Sequence, residues 1–119
     1  MVHQHAPSCA LSAVETAHRQ VMGRVDGLRA MILTRGDGRR IAERLDELTD
    51  FVGGAFASEE LAMRDGAHRD WKEHKRQHEA LVAHLRMARR SFTATADDAH
   101  RGEVFDVLSE LLVHTLFED

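Results

Sequence analysis

Apolar residues recur along most of the chain at alternating spacings of three and four, the signature of amphipathic helices packed as a bundle. Leu11, Val14, His18, Val21, Val25, Leu28 and Ile32 form the first such seam, which predicts a helix over about 12–34. Gly36-Asp37-Gly38 supplies a break. A second seam, Ile41, Leu45, Leu48, Val52, Ala55, Glu59 and Ala62, predicts a helix over about 39–64, closed by Asp65-Gly66. Trp71, His74, His78, Leu81 and Leu85 mark a third, over about 69–90. After a polar stretch with a capping aspartate at 97 or 98, Val104, Val107, Leu111 and His114 mark the last, over about 98–117. Four helices with short connections predict an all-α, up-down-up-down four-helix bundle. Residues 1–119 read as a single domain, of which 1–10 form a short N-terminal arm.

One stretch disturbs this pattern. FVGGAFASEELAM, residues 51–63, places Gly53 and Gly54 inside the second helix. Each glycine there costs about 1 kcal/mol relative to alanine. The expectation is that these small residues, with Ala55, leave space beside Glu59.

Composition narrows the function classes. The chain has 119 residues, 43% hydrophobic and 30% charged, a balance suited to a folded domain with its own core. Its net charge of -4 gives no drive toward nucleic acid or an anionic membrane. Arg86, Arg89 and Arg90 form a local basic group without interleaved aromatics, and read as a solvated helix end. No apolar run nears the roughly 20 residues needed to span a bilayer, and MVHQHAPSCA lacks the apolar core of a secretory signal. A single cysteine, Cys9, excludes an internal disulfide. These features predict a cytoplasmic protein.

The seams, however, carry chemistry. The chain has nine histidines, and His18, His74, His78 and His114 fall on seam positions together with Glu59. His74 and His78 are four apart, so they share one face of their helix. A lone inward histidine is more often a satisfied core residue than a ligand. Four of them with a glutamate, drawn from all four helices, are costly to bury without a shared partner, at about 1–3 kcal/mol for each unpaired polar group. A metal would satisfy them together. The segment HKRQH lacks the glutamate of the zinc-protease helix motif. The ferritin pattern needs two Glu-x-x-His pairs, and only Glu15 with His18 is present. A set richer in imidazole than carboxylate suits iron, zinc or copper over magnesium or calcium. His3 and His5 fall in the arm, and His68, His84 and His100 read as surface or helix-end residues. Trp71 and the five phenylalanines are expected to wall the pocket.

In this order the residues resemble the bacterial hemerythrins, oxygen-binding di-iron four-helix bundles. Glu15 and His18 fall on the family's D-x-x-H. Phe56, Glu59, Glu60 and Met63 fall on its H-F-x-x-E-E-x-x-M. His74 and His78 match its H-x-x-x-H, and His114 with Asp119 its H-x-x-x-x-D. The resemblance spans Glu15 to Asp119. It implies two irons bridged by Glu59 and Asp119, one held by His74, His78 and His114, the other by His18 and a second histidine. That second histidine belongs at position 55, where this chain has Ala55. Four consequences stay open: the second iron adds water, a neighbour such as Glu15 or Met22 substitutes, the second place binds metal weakly or not at all, or position 55 is an altered residue. Glu15 and Glu60 otherwise read as partners of ligand residues. The function implied is binding of dioxygen or a related small oxidant. A redox or iron sensor and a small di-iron oxidase or peroxidase are the alternatives. The sensor is disfavoured because no output motif follows the helices.

Overall fold

The computed structural model describes the backbone of residues 5–93 and 97–117, and the side chains of 13–93 and 97–116. Four helices account for nearly all of it: α1 (His5–Leu33), α2 (Gly38–Asp65), α3 (Trp71–Ser91) and α4 (Asp98–Phe117). Consecutive helices pack side by side and α4 returns against α1, which leaves α1–α3 and α2–α4 on the diagonals of a square. The expected all-α four-helix bundle is what forms, about 55 Å long and 22 by 20 Å across. Among the described residues, no helix is long and apolar enough to cross a membrane.

The seams point inward as the periodicity requires. Val21, Val25, Leu28 and Ile32 from α1 meet Ile41, Leu45, Leu48 and Val52 from α2, Leu81 and Leu85 from α3, and Val104, Leu108 and Leu111 from α4. Nearly all are removed from solvent. Each such side chain contributes about 1.5–3 kcal/mol of transfer free energy. Leu108, Phe56 and Ala88 join the core from positions beside the expected seams, because three or more residues of every two turns face the interior of a bundle.

Helix ends depart from the sequence expectation in instructive ways. α1 starts at His5, seven residues before the expected position, so residues 5–10 continue the helix instead of forming an arm. Pro7 lies in the first turn of α1, a position where helices tolerate proline. α1 ends in a left-handed residue, but this is Arg35 (φ 56°) and not a glycine. Gly36 is demanded by close approach instead: a Cβ there would lie 3.0 Å from the Met31 carbonyl oxygen, which accepts from its N–H at 2.7 Å. Asp37 then caps α2, accepting from the Arg40 N–H at 3.3 Å. At the other end of α2, Gly66 donates back to Ala62 and Ala67 is left-handed (φ 54°), a conformation costing a non-glycine residue about 1–2 kcal/mol. Of the two candidate caps of α4, Asp97 is the one that accepts from a first-turn N–H, that of His100, at 3.1 Å. Asp98 turns outward to a bidentate pair with Arg35, at 2.8 and 3.2 Å. Arg89 reaches Asp46 at 2.8 Å and the Phe92 carbonyl at 3.0 Å, and Arg86 and Arg90 are exposed, as a solvated helix end requires.

Candidate metal centre

Antiparallel packing brings the middle of α1, the C-terminal half of α2, the first two turns of α3 and the last turn of α4 to one end of the bundle. There the apolar core gives way to His18, Glu59, His74, His78 and His114. Glu59 is at the centre and only 6% exposed. Its Oε2 accepts from His18 Nε2 at 2.7 Å. Its Oε1 faces His74 Nε2 at 3.7 Å and His78 Nε2 at 3.8 Å. One carboxylate therefore presents one oxygen to the single imidazole of His18 and the other to a group that includes His74 and His78.

The second group is the denser one. His74, His78 and His114 offer ring nitrogens all within 4.8 Å of one another, an arrangement able to hold a metal ion. Their rings meet edge to face, with centroids 5.4 Å apart for His74–His78, 5.0 Å for His78–His114 and 5.9 Å for His74–His114. Helical spacing sets His74 and His78 one turn apart on α3, and α4 supplies His114 from across the interface.

Two supporting contacts hold His78, which is 1% exposed. Phe56 stacks on its ring, centroid to centroid 3.8 Å and 9° from parallel. Glu60, from the α2 position next to Glu59, accepts from His78 Nδ1 at 2.7 Å. The sequence places Glu60 about 100° round the helix from Glu59, which allows a supporting contact but does not identify its partner. The partner comes from α3.

Burial works against the Glu59 charge, but the hydrogen bond from His18 and the fields of His78, His18 and His74 outweigh it and hold the carboxyl below its ordinary pKa. For Glu60 burial prevails. Lys75 opposes the rise, Glu79 and Glu59 add to it, and the carboxyl stands above its ordinary value. Two adjacent glutamates thus sit in opposed electrostatic settings.

Five of the six expected ligands converge: His18, Glu59, His74, His78 and His114. The sixth, Asp119, lies outside the described residues, as do the side chains of His3, His5 and Cys9. Ala55 is half-buried against the core, one turn before Glu59. Glu15, a candidate to replace the missing histidine, is exposed. His84 pairs with Glu110 and His100 with Asp97 at the surface, at 2.9 and 2.8 Å. His68 is exposed in the α2–α3 turn, where its Nδ1 accepts from the Asp70 N–H at 3.1 Å.

Two expectations about the pocket need correction. Of the phenylalanines with described side chains, Phe56 alone contacts the histidine cluster. Phe51 and Phe105 lie under Arg24 and Arg29, at 4.5 and 4.8 Å, and Phe92 closes the far end of α3. Aromatic content does not reveal position, and these rings serve helix interfaces. Nor do Gly53 and Gly54 admit a close neighbour: a Cβ on either would meet nothing within 4 Å, and Gly54 is exposed. Nothing in the structure explains why glycine stands at these two positions.

Fold and site together define a four-helix bundle with a buried histidine–carboxylate cluster at one end. No family model, curated protein or solved structure matches this chain.

Proposed function

We propose that this chain is a hemerythrin-like non-haem iron protein, with a carboxylate-bridged di-iron centre that binds dioxygen or a related small oxidant. The observation that carries the reading is Glu59, buried with one oxygen toward His18 and the other toward His74 and His78. A structural carboxylate–histidine pair needs one partner, whereas this carboxylate lies between His18 on one side and His74 and His78 on the other.

The donor set fits iron. Imidazole with a little carboxylate is a borderline set suited to iron, zinc or copper. Two donors on one ion at about 2.1 Å each lie about 3.0–4.2 Å apart; Glu59 Oε1 stands 3.7 and 3.8 Å from the Nε2 atoms of His74 and His78, within that range, while Oε2 and His18 Nε2, at 2.7 Å, are at hydrogen-bond distance. His74, His78, His114 and Glu59 Oε1 would hold one ion, and His18 with Glu59 Oε2 the other. Asp119, by the resemblance to bacterial hemerythrins, would be a second bridge. Bound iron would supply electrons to the oxidant.

The chain's own residues prepare that chemistry. Glu59 resists protonation because three imidazoles face it, so it remains an anionic ligand at neutral pH. Phe56 shields one face of His78 and limits water. Around His18 alanine at position 55 leaves fewer protein donors, so a metal held there would exchange more readily. That asymmetry supports a second reading, a mononuclear centre on His74, His78, His114 and Glu59.

The function is tested by loading metal-free protein with ferrous iron under anaerobic conditions and then admitting oxygen. A visible charge-transfer band that forms with oxygen is the expected result. Iron-loaded protein whose spectrum ignores oxygen would contradict the oxidant-binding reading.

A further inference from the structure

His78 is the most buried of the clustered histidines, at 1% exposure, and its ring has little freedom. Phe56 lies flat against one face at 3.8 Å. Glu60 Oε2 lies 2.7 Å from Nδ1, and an ionised carboxylate accepts hydrogen bonds but donates none. A neutral His78 ring that donates to this carboxylate oxygen carries its proton on Nδ1, which leaves the lone pair on Nε2. Nε2 is the nitrogen that faces Glu59 Oε1, at 3.8 Å. Adjacent residues of α2 thus take the two ends of this arrangement, Glu59 inside the cluster and Glu60 behind the imidazole.

Resting on the reading of this cluster as a metal centre, we propose that Glu60 is a positioning residue that fixes the tautomer and rotation of His78, so that Nε2 is presented to the metal. A ligand histidine backed by a carboxylate is held in orientation and made a stronger donor. A rotated ring, or one with its proton on Nε2, would have no lone pair aimed at the cluster. Glu60 acts through His78 and is not itself required to touch the metal. The alternative is a strap that merely ties α2 to α3. Such a strap would affect melting of the metal-free protein and leave the cobalt affinity unchanged.

The test uses the full chain, with cobalt(II) as the only added metal. Wild type, Glu60→Ala and Glu60→Gln are compared by cobalt titration and by nitrogen NMR of the histidine rings in the metal-free state. Glu60→Ala is expected to lower cobalt affinity about 10–100-fold at unchanged stoichiometry, with His78 becoming a mixture of tautomers. Glu60→Gln keeps an acceptor oxygen, so the tautomer should survive and the affinity fall less; it also serves if the alanine variant fails to fold. Wild-type affinity and wild-type tautomer in Glu60→Ala would overturn the proposal and leave the metal reading intact. Wild-type protein that takes up no cobalt would sink the metal reading and the proposed presentation of Nε2 with it.

Discussion

Toward the α1–α2 turn the interior of the bundle is Ile32, Ile41, Leu45, Leu85, Phe92 and Leu108; toward the α2–α3 turn it is His18, Glu59, His74, His78 and His114. Both sets occupy the inward seams of the same four helices. The apolar end gains free energy simply by leaving water. The polar end incurs the cost of burying donors, acceptors and a charge, which only mutual hydrogen bonding or a shared ion offsets. The bundle's stability is therefore concentrated where the cluster is not. A chain under selection for folding alone would have continued the Leu, Ile and Val pattern through both ends.

Substitutions at either end sharpen that contrast. The largest effect belongs to Leu45→Ala in the fully buried apolar half. It should lower the free energy of unfolding by about 2–5 kcal/mol, read by urea denaturation, without altering metal stoichiometry. A loss below 1 kcal/mol would break the division of labour.

Next comes Ala55→His, which restores an imidazole one turn before Glu59. If the polar end holds metal as proposed, the variant should tighten the place beside His18 by about tenfold or more, or about 1.4 kcal/mol, and slow loss of any oxygen complex in stopped-flow spectra. A wild-type oxygen complex already as long-lived as the variant's would mean that position 55 does not govern reversibility.

Gly54→Ala should stabilise the chain by about 1 kcal/mol, because the residue is exposed and a Cβ there meets nothing. Thermal melting with unchanged metal uptake is the expected pattern. Destabilisation would reveal a role for the glycine.

The smallest effect is an acid dependence at the apolar end. Hydrogen bonds from the His100 backbone and ring depress the Asp97 carboxyl below its ordinary value. With the folded pKa below the unfolded one, its contribution is fully present above the unfolded value and is lost as pH falls through the folded value. Asp97→Ala should therefore flatten the stability profile below about pH 4 and leave its shape at neutral pH unchanged. An identical acid limb in both proteins would remove Asp97 from the account.

Much of this architecture is legible in the sequence, because a period of 3.6 residues identifies the inward face whatever stands on it. Val21, Leu45 and Leu85 are readable from that period, and so is the meeting of His18, Glu59, His74, His78 and His114 at one level. What hides is geometry between helices. Helical spacing gives Glu60 an angle from Glu59 but no partner, since His78 belongs to another element. The stacking of Phe56 on His78 is hidden for the same reason, and Phe51, Phe92 and Phe105, expected at the pocket, lie elsewhere. The helical reach of α1 back to His5 carries no local signal, as its first two turns lack both a capping pattern and a clean apolar period.

Counting iron per chain decides whether the polar end of the bundle is a metal centre organised by Glu59. Protein purified without added metal and weighed under native conditions should carry two irons, as di-iron bundles do, and Glu59→Ala should carry fewer, losing the ion beside His18 first. A chain that carries no metal, takes up none when it is offered, and melts at the same temperature with and without a chelator would contradict the account.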